Sequence, residues 1–160
     1  MLDRLKARFA APLGDEDVAV LLYVREGARW YVQLSVRSTI GASVGWGAVE
    51  VLDAAGDAEL AAAVRRALAR APRRPVPYSR DEHRETPWSQ EGKSFRAFAR
   101  GAALVEVHRR ADGRFAVQPY ENRVFTRPPE GFLGVPERVR DVEDDDEQLG
   151  AAIRAATAAP

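Results

Sequence analysis

The sequence predicts an α+β fold, a mostly antiparallel sheet arrangement with flanking helices, on three observations. Val18 to Val24 is a nearly continuous apolar run, the pattern of a strand buried on both faces. Trp30, Val32, Leu34 and Val36 alternate with Tyr31, Gln33, Ser35 and Arg37, the period of a half-buried strand. Two later stretches, 57–69 and 146–158, place apolar residues four apart, the stripe of an amphipathic helix.

Taken in order, the strand 18–24 is followed by Arg25-Glu26-Gly27-Ala28, a hairpin turn, and then by the alternating strand. A Gly- and Ser-rich stretch up to Gly47 is expected to be flexible, with a third strand over Ala48 to Leu52. The first helix starts at Gly56-Asp57, where Asp57 is placed to cap free amides and Glu59 suits the positive end of the dipole. Leu60, Val64 and Leu68 form its buried stripe, and Pro72 stops it by disfavouring helical geometry at Ala71. The segment 72–93, with four prolines up to Pro87 and many charges, is expected to be an exposed connector.

The second half repeats this plan. Ser94 is placed to cap a short helical turn carrying Phe95 and Phe98, ended by Gly101. A strand over Ala103 to His108 is followed by the Asp112-Gly113 turn signal and a returning strand, Arg114 to Gln118. A weak strand is expected between Phe132 and Val142, then a helix whose Leu149, Ile153 and Thr157 are spaced by four. The strand RFAVQ echoes RWYVQ 85 residues earlier, and the helix 146–158 overlays 57–69 with Arg154 on Arg65. These matches suggest two β-β-β-α halves, about 15–71 and 94–158, in one domain spanning 1–160, the pattern of an internal duplication.

Composition limits the function classes. An apolar share of 46% and a charged share of 30% are those of a globular chain. With no cysteine there is neither a disulfide nor a thiolate metal site, as suits a cytoplasmic location. No apolar run reaches the ~20 residues that span a bilayer, and the N-terminal segment lacks the h-region of a secretion signal. Formal charge is zero, so no global field attracts nucleic acid or membrane. Locally, seven arginines between Arg65 and Arg84 face two acids, Asp81 and Glu82, whereas 141–147 holds six acids and no base.

No catalytic, cofactor-binding or metal constellation emerges. His83, in DEHRE (81–85), has carboxylate neighbours but not the three or four spaced ligands of a zinc site. A small enzyme would need Asp81, His83, Glu85 and His108 gathered at one cleft, and a surface strand position is preferred for His108. Gly41-Ala42-Ser43-Val44-Gly45 only superficially approximates a nucleophile elbow and precedes a strand rather than a helix. In the acidic run, Asp146 and Glu147 are read as helix-capping groups. Asp141, Glu143, Asp144 and Asp145 are candidate partner-binding residues that would enter a basic groove. A secretion chaperone or adaptor is the alternative binding module.

GKSFRAFARGAALVEVHRR (92–110), the closing EQLGAAIRAA (147–156) and the earlier AELAAAVRRALAR (58–70) resemble the immunity proteins of bacterial contact-dependent growth-inhibition systems. The resemblance covers roughly the last two-thirds of the chain. It implies a cytoplasmic inhibitor, not an enzyme, that needs no cofactor. Such a protein binds the toxic C-terminal domain of a delivered effector, often a nuclease, as a monomer or weak homodimer. On this resemblance Lys93, Ser94, Phe95, Phe98 and Gly101 are fold-defining positions rather than contact residues.

Overall fold

The computed structural model describes residues 11–78 and 85–158. Seven strands build one antiparallel sheet: β1 (Val18–Arg25), β2 (Arg29–Arg37), β3 (Ser43–Asp53), β4 (Ala103–Arg109), β5 (Phe115–Arg123), β6 (Gly131–Gly134) and β7 (Arg140–Val142). The spatial order is β3-β2-β1-β4-β5-β6, and β7 also pairs with β5. The helices are α1 (Asp57–Ala69), the short α2 (Phe95–Ala99) and α3 (Asp146–Ala158). The α+β class and the antiparallel sheet are as the periodicities predict.

Alternation decides which side chains face which layer. Val20, Leu22, Trp30, Val32, Val105, Val107, Phe115 and Val117 point to one face and pack against Leu60, Val64, Leu149 and Ile153 of α1 and α3. Fully burying side chains of this size contributes on the order of 1.5–3 kcal/mol each. Tyr23, Tyr31 and Leu104 point to the other face, under Phe98 of α2 and the half-buried Trp88. The Phe98 ring meets those of Tyr31 and Tyr23 edge to face, at centroid distances of 5.2 and 5.7 Å.

That second layer corrects the expected exposed connector. Val76 is 3% exposed and forms a parallel bridge with Ser38, and Pro87 is buried. Gln33 donates to the Glu85 carbonyl at 2.7 Å, and the Val49 amide donates to the Glu85 carboxylate at 3.0 Å. Gln33 and Ser35, which alternation alone would place in water, are therefore buried. The stretch expected to be flexible before Ala48 also belongs to β3, which starts at Ser43. Its pairing with β2 slips between Val32 and Leu34, where Gly47 takes a φ of 74° that suits glycine. The strand expected between Phe132 and Val142 is two pieces, β6 and β7, separated by a 3-10 turn at Pro136–Arg138.

The two halves share topology and register. Ala19 faces Ser35 in β1–β2, and 85 residues later Leu104 faces Tyr120 in β4–β5. The slip opposite Val32 and Leu34 has its counterpart opposite Val117 and Pro119, where the edge passes from β7 to β6. Arg65 of α1 bonds Asp146 at 2.8 Å, and its overlay mate Arg154 bonds Asp57, also at 2.8 Å. Each helix start thus lies beside the later turns of the other, so the helices run antiparallel. A duplication of sequence is not established by this symmetry.

Caps differ from expectation at both long helices. Gly56 is the N-cap of α1, and the Asp57 carboxylate goes to Arg154 instead. At α3 the Asp145 carboxylate accepts from the Gln148 amide at 2.8 Å, so Asp145 does the capping expected of Asp146 and Glu147. At α2, Ser94 Oγ accepts from the Ala97 amide at 3.2 Å, as the sequence predicts.

Close packing of α1 on α3 requires Gly150, where a Cβ would lie 2.1 Å from the Asp57 carbonyl oxygen. Alanine at a mid-helix glycine ordinarily stabilises by about 0.5–1 kcal/mol. Here Gly150→Ala is expected to destabilise by about 1–3 kcal/mol through overpacking. Urea unfolding checks this, and a variant as stable as the parent contradicts it.

Candidate functional site

The acidic run lies where β7 passes into α3, and the four candidate partner-binding residues are all exposed there. Three of them already have work within the chain. Asp141 meets Arg110 at 3.1 Å, and Asp144 meets Arg65 at 2.5 Å and Arg109 at 4.0 Å. Asp145 is the helix cap. Glu143 has no hydrogen bond or ion pair from its side chain among the described residues. Arg65 and Arg109 in turn lie over the Phe115 ring, 5.4 and 6.0 Å from its centroid. The run is therefore a surface of interleaved carboxylates and guanidiniums rather than six free acids. Sequence alone shows the acids but not the arginines that α1 and β4 bring against them.

A second polar group sits on the sheet face opposite α1 and α3. Glu106 of β4 accepts the Tyr120 hydroxyl of β5 at 3.0 Å with one oxygen and pairs with the His108 ring at its other. Burial alone would raise the Glu106 pKa, but the bonds from His108 and Tyr120 outweigh it and hold it below the usual carboxylate range. Burial and the Glu106 charge push Tyr23 up to about 12 and also raise Tyr120, which donates to Glu106. His108 and Gln118 also line a shallow depression of about 620 Å³, with Asp15, Glu16, Arg109 and Arg110 at its margin.

A third group closes the β1–β2 end of the same face. Glu91 accepts from Arg25, from the Tyr31 hydroxyl and from Lys93, the last at 2.5 Å. Burial pushes Glu91 up and these three donors pull it further down, so it stays a carboxylate. Neither polar group stands out in the sequence, because the members meet only through strand register and the return of residues 85–93 across the sheet. Alternation of Glu106 with Leu104 and His108 was the one visible signal.

The proposed enzyme constellation is only partly open to view. Asp81 and His83 fall outside the described residues. Glu85 is held by Val49 and by Gln90 at 3.0 Å, whereas His108 is held by Glu106, so the two belong to separate bonded groups. Among the described residues no group of three or more His, Asp and Glu side chains is set to hold a metal ion. None of the described helices is long and apolar enough to cross a membrane.

Glu106 gives a pH dependence of known sign. Its pKa is lower folded than unfolded, so its contribution is present above the ordinary carboxylate pKa of about 4.3 and lost as pH falls through the folded value. Glu106→Gln is expected to cost about 1 kcal/mol at pH 7. Denaturation curves of parent and variant should converge below about pH 4. A gap that persists in acid contradicts the assignment.

No protein-family model matches the sequence, and no curated protein matches it. Among solved structures, the fold is similar to a protein of unknown function from Neisseria meningitidis, with a TM-score of 0.65 and 14% identity over 91% of this chain and 97% of that one. It is also similar to a CdiA-CT/CdiI toxin and immunity complex from Yersinia pseudotuberculosis, with a TM-score of 0.60 and 16% identity over 88% of this chain and 95% of the matched chain. At these identities the likeness is one of fold.

Proposed function

We propose that this chain is an immunity protein that binds the toxic C-terminal domain of a contact-dependent growth-inhibition effector in the cytoplasm and blocks it. The observation that carries the reading is the match in fold, over nearly the whole chain, to a toxin and immunity complex. The residue resemblance supports it independently: the stretches 58–70, 92–110 and 147–156 coincide with α1, with α2 and β4, and with α3.

The mechanism is occlusion. The face between β7 and α3 presents Asp141, Glu143, Asp144 and Asp145 to the basic groove of a toxin, here taken as a nuclease. Asp141 and Asp144 are held in place by Arg65, Arg109 and Arg110, so little side-chain entropy is lost when a partner docks. Glu143, whose side chain has no hydrogen bond or ion pair among the described residues, supplies charge that a basic partner can take without breaking such a bond. Electrostatic complementarity of this kind raises the association rate and fixes orientation.

Co-expression with the C-terminal domain of its cognate effector is expected to restore growth, and the two chains are expected to co-purify. Loss of both rescue and co-purification contradicts the proposal. Within the complex, Glu143→Lys should weaken binding by about tenfold, mainly through the association rate. An unchanged association rate would remove the acidic run from the interface.

A further inference from the structure

Among the described residues, ten arginines have a carboxylate within 4.0 Å. Arg96 and Arg100 do not. Both guanidiniums are instead parked over the ring of Phe125, 5.4 and 5.5 Å from its centroid. Arg96 lies within α2 and Arg100 is its C-cap, in extended backbone, so the end of the helix brings two like charges to one ring. Phe125 is itself 40% exposed, and Arg127 beside it is exposed and has no ion pair among the described residues.

The patch is built before any partner arrives. Asn122, near the end of β5, donates to the carbonyls of Ala99 at 2.8 Å and Ala102 at 3.1 Å, tying that strand to the end of α2. Its own carbonyl accepts from the Val124 amide at 3.2 Å, which sets the direction of the chain entering Phe125. The loop is then closed by Arg123, which pairs with Glu130 at 2.9 Å and accepts the Glu130 amide at 3.0 Å on its carbonyl. A guanidinium stacked on an aromatic ring keeps its N–H edges free in the ring-parallel plane, the arrangement that receives a carboxylate bidentately.

We propose that Phe125, Arg96 and Arg100 form a second docking point for the toxin domain, one that takes an acidic segment carrying two carboxylates beside an apolar side chain. This rests on the proposed function for the identity of the partner. The chemistry follows from the patch: two cations with no carboxylate within 4.0 Å among the described residues, an exposed ring that both approach, and the Arg and aromatic composition of interface hot spots. A protein segment is favoured over a polyanion because the chain carries no net charge to draw a nucleic acid in, and an exposed ring needs an apolar counterpart. The patch follows the last residue of β5, whereas β7 and the acidic run adjoin its first three residues. Nine residues of strand separate them by about 30 Å, roughly the diameter of a small domain.

The test is titration of the purified effector C-terminal domain into the full chain and into two variants, R96E/R100E and Phe125→Ala. Binding is expected to weaken about 100-fold in the charge reversal and about tenfold in the ring deletion, with thermal midpoints unchanged. Should either variant melt early, R96Q/R100Q replaces it with the same expected direction. Variants that bind the toxin domain as the parent does overturn the docking point while leaving the immunity reading intact. A parent chain that binds no toxin domain overturns both. A fluorescent single-stranded oligonucleotide is titrated alongside; binding that R96E/R100E abolishes would assign the patch to nucleic acid instead and overturn the proposal.

Discussion

The antiparallel contact between α1 and α3 is the constraint on which the remaining structure hangs. Leu60, Val64, Leu149 and Ile153 are fully buried, and they cover the one sheet face that carries Trp30, Phe115 and the central valines. The contact is close enough that Gly150 has no room for a Cβ, and it is bracketed by the reciprocal pairs Arg65–Asp146 and Arg154–Asp57. These pairs are partly exposed, and such pairs are worth at most about 1 kcal/mol each. They set the register of the helices, while the apolar stripe supplies the stability. Beneath the helices, β1 pairs with β4 and joins β1–β3 and β4–β7 into a continuous sheet.

With one face committed to the core, the surface left for recognition is the sheet's far side and its edges. Residues 85–102 cover the first unit there, through Phe98 and through Gln33 with Glu85. On that side, His108 and Gln118 line a shallow depression on the second unit. Its edge strand is also broken into β6 and β7, and that break brings the acidic turn to the surface.

Local signals in the sequence were read well, and long-range ones were not. The runs Val18 to Val24 and Trp30 to Arg37, the Ser94 cap and the four-residue helix stripes all depend on neighbours a few positions away, and each is present in the structure. Capping is the local use of an acid at a helix start, but Asp57 is claimed by Arg154, 97 residues on. The glycines before Ala48 predict flexibility, yet pairing with β2 extends β3 back to Ser43. Charge in the acidic run was legible, but not the arginines that neutralise it. The Phe125 patch carried no signal at all, since its two arginines reach the ring only after Asn122 fastens β5 to α2.

The proposed function has this molecule act through its surface, at the acidic turn beside α3. Hydrogen–deuterium exchange of the full chain with and without the effector C-terminal domain tests it most directly. The account predicts slowed exchange across 141–148, with the amides of the paired β1 and β4 strands unchanged. Slowing confined to the strands around Glu106, His108 and Gln118, with none at 141–148, would contradict it.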